Sequence, residues 1–438
     1  MKKQSKGFLL FVCTVAALGG LLFGYDWVVI GGAKPFYEAY FDIVDQPFLQ
    51  GIAMTTANIG CLIGALIAGT LADRYGRKPL LIAAAALFLT SALATGAFNS
   101  FVFFNLARLW GGMGIGLASA LSPMYIAEVS PADKRGKLVT LNQMTIVLGI
   151  LAAQIVNLLL ARHVADPALI ADSWNGQWGW RWMFWAEAIP AALFLVLGFV
   201  IPESPRYLAM KTNTMHIGES VVPRGSDFNE LFSSQYSRVL VLGLVIAVFQ
   251  QWCGTNVIFN YAHEIFVAAG YDVNMMFINI VITGIANVAF TFVAIFSVEK
   301  LGRRKLMLIG ASGLGIIYFI LGLCYYYHIT GIFMVILVVL AISCYAMTLG
   351  PITWVLLSEI FPDKIRGIAM AICTFALWLG CCTLTFSFPT LNSSLGTFGT
   401  FWLYSAICLI SFIYLFKCCP ETKGKSFEQL EKELIKNK

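Results

Sequence analysis

Runs of about 20 predominantly apolar residues, separated by short polar segments, recur along the whole chain. An α-helix rises about 1.5 Å per residue, so about 20 apolar residues cross a hydrocarbon core about 30 Å thick. The pattern therefore predicts an all-α membrane protein with twelve transmembrane helices. In chain order, the predicted spans one to twelve are 8–31, 49–72, 79–97, 101–125, 137–160, 181–201, 238–260, 275–297, 306–327, 331–357, 367–388 and 399–418.

The composition agrees with a lipid environment. Of the 438 residues, 59% are hydrophobic and only 12% are charged, about half the charged share of a soluble domain. The first span follows Lys2, Lys3 and Lys6, as in a signal peptide, but it is long and contains Asp26. We therefore expect a retained helix rather than a cleaved leader.

The positions of lysine and arginine predict the orientation. Of the 29 basic residues, 25 fall in the termini and alternate loops that share one side of the membrane when the number of spans is even. The positive-inside rule places that side, with both termini, in the cytoplasm. Lys34, Arg162 and Arg181 are then expected at the outer face, and Arg108 falls inside span four. The net charge of +6 is thus attributed to topology and not to nucleic-acid binding.

The cysteines and glycines predict no covalent or catalytic chemistry. Nine of the eleven cysteines lie inside apolar runs, and none lies in a predicted outer loop, so no disulfide framework is expected. Cys418 and Cys419 end the last span without a nearby histidine, which speaks against a zinc site. No phosphate-binding loop of the G-x-x-x-x-G-K-[ST] kind occurs. We therefore expect no metal, no other cofactor and no enzymatic activity.

Short motifs recur at half the chain length. Segment 128–136 reads EVSPADKRG and segment 359–367 reads EIFPDKIRG, and two further motif pairs follow spans two and eight and spans six and twelve. Parallel repeats of this kind occur in transporters whose halves move around a central site. The linker between the halves contains VVPRGS at 221–226, which resembles a thrombin cleavage sequence, and nothing functional is inferred from it. The predicted parts are an N-terminal six-helix half at 1–201, a cytoplasmic linker at 202–237, a C-terminal half at 238–418 and a tail at 419–438.

The repeated motifs place carboxylates and guanidinium groups at helix ends on the predicted cytoplasmic side. Such groups pair when a gate is shut and separate when it opens, and the planar fork of arginine holds a carboxylate through two hydrogen bonds. The alternative is that they are ordinary positive-inside residues. The predicted cytoplasmic gate comprises Asp73, Arg74, Arg77, Glu128, Arg135, Glu203, Arg206, Glu299, Arg303, Arg304, Glu359, Arg366 and Glu421.

In these motifs and in four further segments, the chain resembles the sugar porter family of the major facilitator superfamily, and within it the bacterial D-xylose:proton symporters. The four segments are GGLLFGYDWVVIGG at 19–32, SPMYIAE at 122–128, FQQWCGTN at 249–256 and WVLLSEIFP at 354–362. The resemblance covers nearly the whole chain. It implies a major facilitator fold with two pseudo-symmetric six-helix halves that carries a monosaccharide by alternating access.

Three ionisable residues, Asp26, Arg108 and Glu187, lie inside spans one, four and six. An unpaired charge there costs at least about 2.5–3.5 kcal/mol on insertion scales, so we expect the three to meet. Movement of Arg108 would change the proton affinity of Asp26, which would couple a proton to a conformational change. The resemblance implies the same roles, with Asp26 carrying the proton, Arg108 as its partner and Glu187 as a modulator. A static buried salt bridge is the alternative.

A sugar presents vicinal hydroxyl groups and apolar ring faces, which amide side chains and indoles recognise. Seven amide and indole residues in the spans match sugar-contact positions of the family motifs. The resemblance therefore implies the ligands Gln143, Gln250, Gln251, Asn256, Asn287, Trp354 and Trp378. Hydrogen bonding between helices is the alternative for the amides, and plain packing is the alternative for the indoles.

Two positions depart from the xylose symporter pattern. Asn260 stands where that pattern has a Tyr, and Leu377 stands where it has a Gln just before the Trp of span eleven. Because a leucine side chain forms no hydrogen bond, we expect either an altered preference between pentoses and hexoses or a lower affinity for the sugar. Gln154 lies on a face of span five that overlaps the face of Gln143, and it is a candidate for compensation.

We therefore expect a proton-coupled symporter of a monosaccharide, a pentose or a hexose such as xylose, in a bacterial inner membrane. Its expected partners are the sugar, the proton and membrane lipid, without nucleic acid, and the protein is expected to be monomeric. Family facilitators carry a neutral residue at the position of Asp26, which favours symport. A facilitative sugar uniporter and a carrier of a polyol or cyclitol stay open as alternatives, whereas the short tail after residue 420 speaks against a sugar sensor.

Overall fold

The structure is a computed structural model that describes residues 6–131, 135–164, 169–211, 235–362, 365–425, 429–430 and 434. The VVPRGS segment and the side chains of Arg135, Glu299 and Arg366 lie outside the described part. The helices are α1 Lys6–Tyr40, α2 Pro47–Tyr75, α3 Arg77–Ala97, α4 Phe101–Val129, α5 Arg135–Leu160, α6 Trp180–Trp185, α7 Ala188–Val200, α8 Pro205–Lys211, α9 Ser237–Trp252, α10 Thr255–Asn260, α11 Ala262–Ala268, α12 Val273–Leu301, α13 Arg303–Tyr326, α14 Ile332–Met347, α15 Leu349–Ile360 and α16 Arg366–Cys418.

Eleven helical stretches in the described part are long and apolar enough to cross a membrane. The last of them, Ile368–Cys418, contains both predicted span eleven and predicted span twelve. At 51 residues it would measure about 75 Å if it were straight, more than twice the hydrocarbon thickness. Gly396 interrupts it with φ 69° and ψ 169°, a conformation that essentially only glycine adopts. The eleven stretches therefore hold the twelve predicted spans.

The first helix is longer than predicted span one, which ended at residue 31. It continues to Tyr40 through Lys34, which the predicted topology placed in an outer loop. Lys34 and Glu38 lie one turn apart, both are buried, and Nζ of Lys34 is 3.0 Å from Oε2 of Glu38. Because this pair neutralises both charges, the helix continues past the predicted end of the span.

Spans six and ten are each interrupted beside a proline, which is Pro190 in span six and Pro351 in span ten. In span six, α6 and α7 are separated at Ala186 and Glu187, one turn before Pro190. Pro190 has no N–H, so the Ala186 carbonyl loses its usual helical partner and accepts from Ile189 at 3.3 Å instead. In span ten, Thr348 separates α14 from α15 at φ −125° and ψ −91°.

Span seven is interrupted at Gly254, which has φ 88° and lies between α9 and α10. A Cβ atom at this position would lie 2.9 Å from the Tyr404 ring, so both the conformation and the space require glycine. The interruption turns the chain between the end of α9, which carries Gln250 and Gln251, and the start of α10, which carries Asn256. It thereby brings three polar side chains of one span close together.

The chain divides into two compact units. The first unit consists of Met1–Glu219 with Asp272–Gly284, and the second of Ser220–Tyr271 with Ile285–Lys438. The first part of α12 thus belongs to the first unit, where the Phe277 ring stacks on Phe36 with 6.1 Å between centroids. The boundaries predicted at 201, 237 and 418 stay a prediction.

Candidate functional site

Asp26 and Arg108 form a buried ion pair in the first unit. Nη1 of Arg108 donates a hydrogen bond to Oδ1 of Asp26, and Nη2 donates to the Asp26 backbone carbonyl at 3.2 Å. Each residue is only 2% exposed. The guanidinium carbon also lies 5.3 Å from the centroid of the Phe184 ring, which adds a cation–π contact. Arg108 of α4 is therefore held by both α1 and α6.

Glu187 adds a second carboxyl group to this pair. It is buried at the interruption between α6 and α7, beside the Asp26 carboxyl group and within electrostatic range of Arg108. Oδ2 of Asp26 and Oε1 of Glu187 have no hydrogen-bond partner among the described residues. Two ionised carboxylates beside one guanidinium group leave a buried negative charge, and a single proton removes it. The structure thus brings the three predicted coupling residues into a group whose charge balances when it holds one proton.

Tyr25 supports this group, although the sequence pattern did not indicate it. Its hydroxyl donates to the Met183 carbonyl at 3.1 Å and so ties α1 to α6 next to Asp26. α6 ends at Trp185, immediately before the interruption that carries Glu187. A tyrosine in an apolar span is ordinary, and only the folded chain shows that its hydroxyl reaches a backbone carbonyl.

Three of the predicted sugar ligands form one chain of hydrogen bonds in the second unit. Nδ2 of Asn256 donates to Oε1 of Gln251, and Nε2 of Gln251 donates to Oε1 of Gln250 at 2.6 Å. Nε2 of Gln250 then donates to the Tyr345 hydroxyl at 2.5 Å. Each NH₂ group donates one of its two hydrogens within this chain and has the second left for a ligand, whereas two of the three carbonyl oxygens are already taken by neighbouring amides. The amide chain of these three residues therefore presents mainly donors, which suit the lone pairs of sugar hydroxyl groups.

The other predicted ligands of the second unit lie outside the amide chain. Asn287 and Trp378 are buried, and no hydrogen bond to the Asn287 amide occurs in the described part. Trp354 is 39% exposed. Asn260 and Leu377, the two departures from the family pattern, are both buried. Asn287 is thus an amide with unused hydrogen-bonding capacity.

Two glutamines of interest lie on α5 in the first unit. Gln143, a predicted ligand, is half-buried. Gln154 is buried against Gly284, and its Oε1 has no hydrogen-bond partner among the described residues. Compensation by Gln154 for the lost polar groups stays a prediction.

Arg77 is the centre of a polar cluster that joins the ends of α3, α4 and α7. Its Nη2 donates to Oε1 of Glu128 at 3.0 Å, and its Nε lies 3.0 Å from Oε2. Glu203 accepts the backbone N–H groups of Arg77 and Lys78 at 3.0 and 3.2 Å, and it thereby caps the start of α3. The Ser204 hydroxyl donates to Glu128.

The second unit repeats these contacts. Nη2 of Arg303 donates to Oε1 of Glu359 at 3.0 Å. Glu421 accepts the backbone N–H groups of Arg303 and Arg304 at 3.0 and 3.2 Å, at the start of α13. The Thr422 hydroxyl donates to Oε2 of Glu359 at 2.5 Å. The repeat read from the sequence is therefore also a repeat of individual hydrogen bonds.

The other described residues of the predicted gate are more exposed. Asp73 lies 3.3 Å from Arg77, but its side chain is 66% exposed. Arg74 stacks over the Tyr75 ring at 5.2 Å, and Arg206 is exposed on α8. Exposed ion pairs contribute about 0–1 kcal/mol. The less exposed contacts of Arg77 and Arg303 therefore dominate the two clusters.

Gly76→Ala is expected to lower the free energy of unfolding by about 1–3 kcal/mol. Gly76 lies before α3 at φ 96° and ψ 172°, and a Cβ atom there would collide with the Glu203 carboxylate that caps the helix. Gly302, before α13 at φ 86°, faces Glu421 in the same way, so Gly302→Ala is expected to behave alike. The midpoint of thermal unfolding in detergent micelles measures the effect.

Gly69→Ala is the matched control, because Gly69 belongs to the same motif but lies inside α2. No atom lies within 4 Å of a Cβ added at Gly69. Alanine favours a helix over glycine by about 0.5–1 kcal/mol, so this variant is expected to unfold no earlier than the wild type. Equal unfolding temperatures for Gly76→Ala and the wild type would contradict the proposed collision.

The family model described as "Sugar (and other) transporter" matches residues 12–221 and 214–434. The chain belongs to this sugar transporter family. A relative of this transporter is the arabinose-proton symporter of Bacillus subtilis (strain 168), with 35% identity over 457 residues that cover 99% of the chain and 97% of the relative. Another is the D-xylose-proton symporter of Escherichia coli (strain K12), with 36% identity over 480 residues that cover 98% of the chain and 96% of the relative.

A solved structure similar to this sugar transporter is the inward open conformation of the xylose transporter XylE from E. coli. Its TM-score is 0.84 at 35% identity, over 97% of this chain and 100% of the other. Together these similarities confirm the predicted sugar porter family and the twelve-helix major facilitator fold. They also confirm the prediction of a multi-pass membrane transporter rather than an enzyme.

Proposed function

We propose that this transporter is a proton-coupled symporter of a monosaccharide, a pentose or a hexose such as xylose, and that it works by alternating access. The observation that carries the proposal is the buried group of Asp26, Arg108 and Glu187, whose charge balances with one proton. The names of the two relatives, an arabinose-proton and a D-xylose-proton symporter, support both the sugar and the proton. The excess of basic residues on one side supports a cytoplasmic position of both termini. The similarity to bacterial symporters supports a bacterial inner membrane.

In the proposed cycle, Asp26 takes up and releases the transported proton. Protonation neutralises the carboxylate that Arg108 pairs with, and the ion pair between Nη1 and Oδ1 becomes a weaker hydrogen bond from the guanidinium cation to a neutral carboxyl group. α1 and α4 are then less tightly joined within the first unit. Glu187 acts as a modulator because its carboxyl group lies beside that of Asp26. The proton gradient supplies the work, so no nucleotide is required.

The proposed sugar ligands are the amide chain together with Asn287, which has unused hydrogen-bonding capacity. Amide N–H groups bind the oxygen atoms of the sugar hydroxyl groups. Trp354 and Trp378 are proposed to contact the apolar faces of the ring, and Gln143 is proposed as a further amide ligand. Asn260 and Leu377 lie in the second unit with the amide chain, and we propose that they shift the preference among sugars.

The clusters around Arg77 and Arg303 are proposed as the parts of the cytoplasmic gate. Each cluster fastens, within its own unit, the start of one helix to the ends of two others through charged hydrogen bonds. Release of these bonds would free the helix ends, which is what opening requires. The remaining members of the proposed gate are Asp73, Arg74, Arg135, Arg206, Glu299 and Arg366.

Uptake of radiolabelled sugars into energised membrane vesicles tests the proposal. We expect at least one pentose or hexose to accumulate above its external concentration, and a protonophore to abolish that accumulation. Vesicles without the protein are the control. Uptake that stops at equal concentrations and ignores the protonophore would instead identify a facilitative uniporter, and uptake restricted to polyols or cyclitols would change the substrate class.

A further inference from the structure

The amide chain ends on a residue that the sequence pattern did not indicate. Tyr345 lies near the end of α14, and its hydroxyl oxygen accepts a hydrogen bond from Nε2 of Gln250 at 2.5 Å. A phenolic hydroxyl is both an acceptor and a donor. Because the oxygen serves here as an acceptor, the O–H hydrogen is left to be donated, and no acceptor for it occurs in the described part. The chain of donors formed by the amides is thus extended by one hydroxyl donor.

The Tyr345 ring is held at a defined position. A Cβ atom added at Gly350, on the other side of the interruption at Thr348, would lie 3.3 Å from Cε1 of Tyr345. The ring therefore packs closely on the backbone that follows the interruption. This packing and the hydrogen bond from Gln250 restrict the hydroxyl before a ligand arrives, which lowers the entropic cost of binding.

We propose that the Tyr345 hydroxyl is a further sugar-binding group, which donates a hydrogen bond to one ring hydroxyl of the substrate and so helps to decide which monosaccharide the transporter accepts. The inference rests on the proposed function, since it requires that a sugar binds to the amide chain. It adds a donor on α14, next to Gln250, to the ligands read from the family motifs.

Tyr345→Phe tests the inference because it removes only the hydroxyl group. For the sugar that the wild type takes up best, we expect KM to rise about three- to tenfold with kcat nearly unchanged, the effect of one hydrogen bond. The same measurement is made with a series of monodeoxy analogues, each of which lacks one ring hydroxyl. For the analogue that lacks the partner of Tyr345, we expect the wild type and Tyr345→Phe to have the same KM.

Tyr318→Phe is the matched control, because Tyr318 is also buried in the second unit and its hydroxyl lies 3.2 Å from Oγ1 of Thr255. We expect it to leave KM within about twofold of the wild type, since this hydroxyl already has a partner inside the protein. A second test needs only the wild-type protein. Its KM for the analogue that lacks the partner hydroxyl must be higher than its KM for the parent sugar.

Two results would overturn the inference. One is an unchanged KM for Tyr345→Phe, and the other is an equal rise with the parent sugar and with every analogue, which would mean that Tyr345 only positions Gln250. Failure of the proposed function looks different, because the wild-type protein would then take up none of the sugars.

Discussion

Asp26→Asn is expected to abolish the accumulation of sugar against a gradient while sugar exchange across the membrane continues. Asparagine has nearly the same shape as aspartate, but it neither binds nor releases a proton. The variant lacks the carboxylate that pairs with Arg108 and carries the proton, so the transport cycle no longer requires a proton. Energised vesicles measure accumulation, and counterflow in vesicles preloaded with unlabelled sugar measures exchange. We further expect the rate of exchange to vary with pH in the wild type and to be independent of pH in the variant.

Glu187→Gln is the control for this experiment. It replaces a carboxyl group of the same buried cluster but leaves the hydrogen bond between Arg108 and Asp26 in place. We expect this variant to keep accumulating sugar. If both variants lost accumulation equally, the proton could not be assigned to Asp26, and if Asp26→Asn still accumulated sugar, Asp26 would be a structural residue.

Gln251→Ala is expected to raise KM for the transported sugar about a hundredfold, with a smaller change in kcat, because several hydrogen bonds are lost together. Gln251 is the middle member of the amide chain, accepting from Asn256 and donating to Gln250 at 2.6 Å. Its removal leaves a buried donor and a buried acceptor without partners and deletes the contact of Gln251 itself with the sugar. Initial rates of uptake over a range of sugar concentrations measure both constants.

Gln154→Ala is the matched control, since it truncates a buried glutamine that lies outside the amide chain. Gln154 packs against Gly284 in the first unit, and its Oε1 has no hydrogen-bond partner among the described residues. We expect KM to stay within about threefold of the wild type, the effect of at most one weak hydrogen bond. A large rise in KM would show instead that Gln154 compensates for Leu377, and an unchanged KM for Gln251→Ala would exclude the amide chain as the sugar site.

The sequence predicted the spans well because the solvent sets their length. Any segment that crosses lipid must be apolar over about 20 residues, and this requirement is visible in a single sequence. The interruptions at Gly254 and Thr348 were not predicted. They depend on local partners such as the Tyr404 ring against Gly254, which only the folded chain brings near.

The candidate site was predicted in part. Asp26, Arg108 and Glu187 were expected to meet because a lone charge in lipid is costly, and the structure brings them together. Tyr345 was missed because a tyrosine in an apolar span is common. Whether its hydroxyl reaches Gln250 depends on the rotation of α14 about its axis, which the sequence does not show. The roles of these residues stay predictions that the variants described above test.

The clusters around Arg77 and Arg303 were also predicted only in part from the sequence. The recurrence of carboxylates and arginines at half-length was evident from the sequence. Only the structure shows that Arg77 pairs with Glu128 and Arg303 with Glu359. Glu203 and Glu421 instead bind backbone N–H groups at the start of a helix. Backbone N–H groups occur at every residue except proline and leave no mark on the sequence, so this capping role is visible only in the structure.

The sequence by itself determined the class of protein, the number of spans, the internal repeat and the identity of the charged residues. These features are visible because a polar or charged group without a partner is costly in lipid. The tertiary structure decided which atoms of those groups touch. It alone set the order of donors from Asn256 to Tyr345 and the proximity of Glu187 to Asp26. Hydrogen bonds act over about 3 Å and within narrow angles, a precision that the rotation and interruption of packed helices supply and that a pattern of residue types does not contain.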